Sequence, residues 1–536
     1  MFTNRRQSRW FALLLIISLS FSMEWSCAPA LPQHEPSHEV TTEPRTESIR
    51  VREPAQEKHK EAEAAQTEAQ HEHTTPEPLV EKDIETSRPD AGEPFVEKAP
   101  DNTTTQPMCD LTNPQNDPYQ PGVAYFGRNR YIKYIAGSLP IILSAPHGGS
   151  LKPSEIKSRT TGVLGGDTYS REYTYEVARR LYQLTGRLPH IIINRLHRSK
   201  LDANREIVEA SQGDKNSETA WGEFKDYILA AKKWVTKRCK QGHYFDLHTN
   251  AHSEKWMELG YLLYSSQLAL KNSTLDTGTT YLNKTSVKTL ASQQGHTLST
   301  LLRGPESLGA LMQIRGYKTV PSPKYPDPNG GGYFSGGYNT ARYGSKGGGV
   351  IDGTQIETHL SMIQNSTRYN YSRALAESIL TFVERWYGFR LRNPIQTVPH
   401  SACLNAKVLT FQQGEVTLND DTWGALAQYP GKITCGTSSK LNGPQVYYTF
   451  SVQSGKQYDI TIKPDFPARV YLFAGGCDIN DLNAGCKASK IDGILAVTDV
   501  EKTMTYTATK TTSVRLAVGS LLLHWLGSFT LTIRER

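Results

Sequence analysis

At 536 residues the chain is too long for one ordinary domain, and length alone sets an expectation of about two to four. Only 37% of its residues are hydrophobic, a low share that a long polar segment near the N-terminus explains. The formal net charge of +7 is spread thinly, with no dense basic stripe interleaved with aromatics, which argues against nucleic acid as a partner.

Three arginines within residues 1–9 precede the apolar run WFALLLIISLSF at 10–21, too short to span a bilayer comfortably. A basic start, a short apolar core and small residues near Ser26 and Cys27 describe a secretory signal peptide over residues 1–26. The mature chain is therefore expected outside the cytoplasm. Cys27 stands where a lipid-bearing cysteine would, while Glu24 and Trp25 depart from the usual bacterial lipoprotein box. An outer-membrane-anchored lipoprotein and a freely secreted chain both stay open. Residues 27–106 are rich in Pro, Glu, Thr, Gln and His, with Phe95 as their only aromatic. Such a segment buries too little apolar surface to offset the entropy of ordering and is expected to be a disordered tether.

From Cys109 onward the composition changes. Apolar runs at 139–145, 190–194, 243–247, 259–264 and 350–357 read as strands. Between the first two, Tyr173, Val177, Leu181 and Leu184 recur at helical spacing and Gly186 follows as a stop. Further helices are predicted over 221–238 and 373–387. Strands alternating with helices predict a three-layer α/β domain with a mainly parallel sheet over residues 107–392. Within it, residues 321–349 form a long glycine-rich stretch holding four tyrosines and Phe334, the composition of an ordered substrate-facing loop.

After His400 the runs at 446–452, 458–463, 469–473, 503–509, 513–518 and 528–534 alternate with period two, which predicts an all-β sandwich over 400–536. Leu521, Leu522, Leu523 and Trp525 read as a buried strand, with an exposed partner-binding patch as the other possibility. Cys27 aside, six cysteines remain, an even number that suggests disulfides in an exported protein. Cys477 and Cys486 flank one polar loop and are the first expected pair, then Cys403 with Cys435, which leaves Cys109 with Cys239.

The run at 139–145 ends abruptly in Pro146, His147 and two glycines, at the strand edge where α/β sheets place ligands. Four other stretches share that character. Asp167 and Glu172 lie in the turn before the first helix, where Asp167 also suits a helix cap. Arg198, Asp202, Asn204 and Arg205 crowd beyond the second strand. Asp246 and His248, two apart at a strand end, point to one face, so that a carboxylate can orient a metal-binding imidazole. Glu357 ends the last apolar strand. Two histidines and a carboxylate at strand ends form the ligand set of a catalytic zinc site with one position open.

The stretches SAPHGG, GGDTYSRE, LDANRE, FDLHTNAH and YFSGGYN followed by QIE resemble, in order, the motifs of the N-formylglutamate amidohydrolase-like family, over about residues 119–388. That family is related to the zinc carboxypeptidases. The resemblance implies their three-layer fold, His147 and His248 as zinc ligands, and an acidic ligand from the 167–172 turn. Asp167 matches the Asp of the family pattern, and Glu172, which matches its Glu, stays open. It further implies that Asn204 and Arg205, with Arg198 nearby, clamp a substrate carboxylate, and that Glu357 is the general base. The C-terminal runs QVYYTFSV, KQYDITI and RVYLFAGGC resemble the bacterial prepeptidase C-terminal sandwich.

The expected function is an exported zinc-dependent hydrolase acting on an amide next to a carboxylate, in a small peptide, an N-acyl amino acid or a cell-wall peptide. The rival is a non-catalytic surface protein binding glycan or protein partners. A serine hydrolase ranks low, because no G-x-S-x-G elbow is present. Limited proteolysis should remove the tether and leave a folded core starting near Cys109, whereas strong amide protection within 27–106 would make that segment part of a domain.

Overall fold

The computed structural model describes residues 109–110, 117–364, 366–393, 398–429, 432–433, 441–480, 482, 491–492, 501–520 and 526–536. The signal peptide, the tether and the 521–525 patch lie outside the described residues. Among the described residues no helix is long and apolar enough to cross a membrane.

The α/β part is built on one sheet of eight strands. These are β1 (Ala124–Phe126), β2 (Ile132–Ile135), β3 (Ile141–Ala145), β4 (His190–Asn194), β5 (Gly242–Asn250), β6 (Met257–Gly260), β7 (Thr319–Val320) and β8 (Ile351–His359), in the order β1-β2-β4-β3-β5-β8-β6-β7. The central strands β4, β3, β5 and β8 run parallel. From β3 the chain goes to β4 on one side and then to β5 on the other. The strand order thus reverses at β3, and ligands of open α/β sheets bind outside the carboxyl ends of the strands at such a point.

Helices cover both faces, which is why β3 and β4 are buried throughout and read as unbroken apolar runs. On one face lie α1 (Ser170–Thr185), whose Tyr173 hydroxyl donates to the His248 carbonyl, and α4 (Arg368–Tyr387), whose Phe382 meets the His243 ring. On the other lie α2 (Lys215–Cys239), with Trp234 against His190, and the short α3 (Tyr338–Tyr343), with Tyr343 against Tyr244. Gly186 ends α1 with a φ of 66°, the left-handed conformation that its place as a stop requires.

Several elements differ from the sequence reading, each for a local reason. Helix α2 starts at Lys215 rather than near 221, because Asp214 caps it by accepting from the Ser217 N–H. The strand predicted at 259–264 is Met257–Gly260. Its pairing to β8 ends at Gly260, and Leu262, with a φ of 65°, turns the chain away. The glycine-rich stretch holds α3 instead of remaining irregular.

The C-terminal part is a two-sheet β structure, as its period-two pattern predicted. Glu415–Asp421, Ser528–Glu535, Gln457–Pro464 and Lys502–Thr507 form one sheet, and Ile491–Asp492, Ala468–Phe473, Thr512–Ser520, Gln445–Val452 and Lys407–Val408 the other. Cys109 bonds to Cys239, as expected. Cys403 bonds to Cys477, which overturns both expected pairs in this region, Cys477 with Cys486 and Cys403 with Cys435. Cys403 and Cys477 lie in one buried apolar cluster with Tyr471, a nearness that spacing along the chain does not report. Cys435 and Cys486 lie outside the described residues.

The sandwich and the α/β part share one compact unit. Trp423 and Leu526 join the α/β core, the Arg179 guanidinium donates to the Ala425 carbonyl, and Lys133 on β2 reaches Asp465. The Lys133 ammonium lies 3.7 Å from the Asp465 carboxylate and 3.0 Å from that residue's carbonyl, with both side chains buried. Removing one partner of a buried pair strands the other charge, at a cost of about 3–5 kcal/mol. Lys133→Ala should therefore lower stability by about 3 kcal/mol in denaturant unfolding, and Lys133→Met with Asp465→Leu should recover most of the loss. An unchanged midpoint in the single variant would show that this contact does not join the two parts.

Candidate metal centre

The carboxyl ends of β3 and β5 bring two imidazoles together. His147 follows β3 directly, and His248 stands near the end of β5, their ring centroids 4.9 Å apart. Asp167, in the turn that leads from β3 to α1, lies between them. Its Oδ2 is 2.9 Å from His248 Nδ1 and 3.3 Å from His147 Nδ1. One ligand atom from each of the three falls within 4.8 Å of the others.

The far nitrogen of each ring has its own carboxylate. His147 Nε2 lies 2.7 Å from Asp202 Oδ1, and His248 Nε2 lies 3.0 Å from Asp246 Oδ2. Asp246 is held in turn by the Ser144 hydroxyl, and Asp202 by Arg198 Nε at 2.8 Å and the Asn204 N–H at 3.1 Å. A carboxylate on Nε2 fixes the tautomer that presents a bare Nδ1, the arrangement found behind metal-binding histidines. For four-coordinate zinc with bonds of ~2.1 Å, ligand atoms sit ~3.4 Å apart, close to the two separations to Asp167. The donor set of two imidazoles and one carboxylate is therefore near enough to hold a metal ion.

Charge gives the same answer. Asp167, Asp202, Asp246 and Glu357 are withdrawn from water, and the guanidiniums of Arg198 and Arg159 stand beside them. With neutral imidazoles the cluster is short of two positive charges, the deficit a divalent ion fills. Without the ion, protons take that role. Burial opposes a charge on His248, yet Asp246, Glu357 and Asp167 outweigh it and hold the ring protonated well above the usual imidazole range. Burial likewise works to raise the Asp167 carboxyl, and His147 and His248 overcome it and hold it low.

Glu357 on β8 is the register partner of His248 on β5, which places both on the same face of the sheet. Burial pushes its carboxyl up to about 8, His248 pulls it down, and Asp167 and Glu258 add to the rise. Gln355 Nε2 donates to its Oε1 at 2.9 Å. The glycine-rich stretch is tied along this edge. Gly337 N–H donates to Gln355 Oε1 at 2.6 Å, and Asn339 N–H to Asn204 Oδ1 at 2.8 Å. Gly260 of β6 makes room for the crossing, since a Cβ there would lie 2.7 Å from the Gly336 nitrogen.

The structure thus gathers His147, Asp167, His248, Asn204, Arg198 and Glu357. It does not gather Glu172, whose carboxylate binds its neighbour Arg171 at 2.6 Å. Asp167 does not cap the helix either, since its side chain is committed to the two rings. Arg205 pairs through Nε with Glu209, four residues on, at 3.1 Å, on a side chain 36% exposed. Arg198 is the nearer guanidinium, 3.7 Å from Asp167. The role of Asp202 was not read from the sequence, although a carboxylate for His147 was to be sought once Asp246 had been assigned to His248.

No protein-family model matches the chain, and no curated protein matches it. Among solved structures it is similar to the gene product Atu2144 from Agrobacterium tumefaciens, at 10% identity and a TM-score of 0.29, over 48% of this chain and 95% of that one. It is also similar to the pre-peptidase C-terminal domain of a collagenase from Bacillus anthracis, at 14% identity and a TM-score of 0.15, over 24% of this chain and 94% of that one. A third likeness is to Aeromonas hydrophila PliG, a periplasmic inhibitor of g-type lysozyme, at 13% identity and a TM-score of 0.17, over 24% and 96%. With scores this low, none of these likenesses bears on what the chain does.

Partners behind metal-binding histidines are worth about 10–100-fold in affinity. Asp202→Asn should weaken zinc binding by that factor in a competition assay against a chelator. Zinc affinity of the unaltered protein should climb with pH as His248 gives up its proton, because only the neutral ring binds metal. Unchanged affinity in Asp202→Asn would remove that carboxylate from the support of His147.

Proposed function

We propose that this chain is an exported zinc-dependent hydrolase that cleaves an amide bond next to a carboxylate, in the manner of the N-formylglutamate amidohydrolase-like family and the zinc carboxypeptidases. The observation that carries the reading is the pair of imidazoles whose Nδ1 atoms share Asp167 while each Nε2 rests on a carboxylate of its own. His147, Asp167 and His248 would hold the ion. When bound, zinc acidifies a water and polarises the amide carbonyl.

The chain's own residues account for the remainder. Gln355 occupies Oε1 of Glu357, which leaves Oε2 to take a proton from water and return it to the departing nitrogen. A carboxyl raised by burial is suited to that exchange near neutral pH, and a nearby cation would draw it lower. Asn204 packs behind the His248 ring, its Nδ2 3.3 Å from Nε2, and holds the Asn339 N–H through Oδ1, so it supports the ring and the glycine-rich stretch. The substrates favoured are small peptides, N-acyl amino acids or cell-wall peptides, which an exported enzyme would meet. The disulfides Cys109–Cys239 and Cys403–Cys477 suit an oxidising compartment. Anchoring through a lipid on Cys27 and free secretion are the two forms of that export.

Zinc content and turnover on a panel of N-acyl amino acids and short peptides test the assignment. Glu357→Gln should keep its zinc and lose about a hundredfold or more in turnover, the usual size of a general-base contribution. His147→Ala should lose zinc and turnover together. Full turnover in Glu357→Gln would remove it from the mechanism, and zinc loss in that variant would move it into the ligand set.

A further inference from the structure

A third imidazole stands on the far side of Glu357 from the candidate metal centre. His252 lies just beyond β5, and its Nδ1 is 2.7 Å from Oε1 of Glu258 on β6. Glu258 is 0% exposed, and among the described residues His252 is the cation paired with it. The other Glu258 oxygen accepts the Phe334 N–H at 2.7 Å. Phe334 stacks on the His252 ring at 4.8 Å, and Gly332 sits so close that a Cβ there would come within 2.5 Å of the ring. The ring therefore has a built seat. Its Nδ1 is committed, and Nε2 has no partner among the described residues on a side chain 29% exposed.

Register fixes where this seat lies. His248, Glu357 and Glu258 are consecutive partners across β5, β8 and β6, so their side chains rise from one face in a row. With strands ~4.8 Å apart, Glu258 stands about 10 Å from His248. A substrate with its amide at the imidazoles and its body across Glu357 points its far end at His252. Charges of both signs line that rim: Lys255 and His252 add to the burial that lowers the His359 imidazole, while Glu254 stands beside His252 as a carboxylate. Lys255 is exposed, and Phe334, 46% exposed, offers an apolar wall.

We propose that His252 binds a free carboxylate of the substrate, remote from the scissile amide, by donating from Nε2. Glu258 positions the ring and keeps its proton, Lys255 adds attraction, and Phe334 packs against the chain that leads to the carboxylate. This deepens the hydrolase reading and rests on it for the placement of the amide.

Calorimetric titration of the full zinc-loaded chain with 6-acetamidohexanoate and with its primary amide tests the proposal. The two probes differ by one remote charge, so binding common to both cancels. A charge-assisted hydrogen bond predicts a preference of about tenfold for the carboxylate. His252→Gln should reduce that preference to about threefold or less while zinc content stays unchanged, and Lys255→Gln should reduce it about threefold. No preference in the unaltered protein, or a full preference in His252→Gln, overturns the assignment. Should His252→Gln fail to fold, a full preference in Lys255→Gln overturns it as well. Because the readout is binding, a preference that depends on His252 without turnover on any amide would sink the hydrolase reading and leave the anion site standing.

Discussion

Carboxylates taken out of water must find cations, and the centre of this protein depends on that constraint. Asp167, Asp202, Asp246 and Glu357 are all withdrawn from solvent at the carboxyl edge of the sheet. An isolated buried carboxylate is costly enough that it would ordinarily take up a proton. Here Arg198 and Arg159 answer part of the charge, and the two imidazoles are set so that either protons or a divalent ion answers the remainder. Such a cluster is poor material for stability alone, since an apolar core of equal volume would serve at least as well. Its retention makes sense where the deficit of positive charge is itself useful.

Topology delivers these groups without strain. Reversal of strand order at β3 opens the crevice beyond its end, and His147 is the residue the chain places there. Alternation along β5 sets Asp246 and His248 on one face, with Phe245 and Leu247 turned to the opposite core. Register then carries the row sideways to Glu357 and Glu258. His248, Glu357 and Glu258 thus sit on strands and His147 two residues beyond one, the condition under which a site keeps its geometry, while Asp167 and Asp202 come from turns.

This logic explains what was legible in the sequence. Strand ends are visible as apolar runs that stop at proline, histidine or glycine, so His147, His248 and Glu357 stood out, and α1 announced itself through its spacing and Gly186. Asp246 was legible because the two-residue period settles the face. Asp202 was not, because it lies beyond β4 in a turn, and turns carry no period from which a direction can be read. The same gap covers Asn204 and Arg205, since the first packs against His248 Nε2 while its neighbour pairs with Glu209. Cys403 with Cys477 failed to show for a related reason, since it joins two segments outside the strands that meet only through their packing on one sheet.

The sandwich meets the α/β part far from the row of functional side chains. Lys133 belongs to β2, Arg179 and Tyr175 to α1, and the Ser528 hydroxyl donates to the carbonyl of Gly122, just ahead of β1. Two of these contacts fall on the β1-β2 flank and two on α1, whereas the glycine-rich stretch lies along β8 and β6 at the other end of the sheet. A sheet edge left open is a template for unwanted pairing, and the sandwich braces the flank where the short strands β1 and β2 form that edge. Phe334, His252 and Lys255 gather at the opposite flank. One flank of the sheet is therefore tied to the sandwich by packing and a buried ion pair, while the glycine-rich stretch is tied along the other.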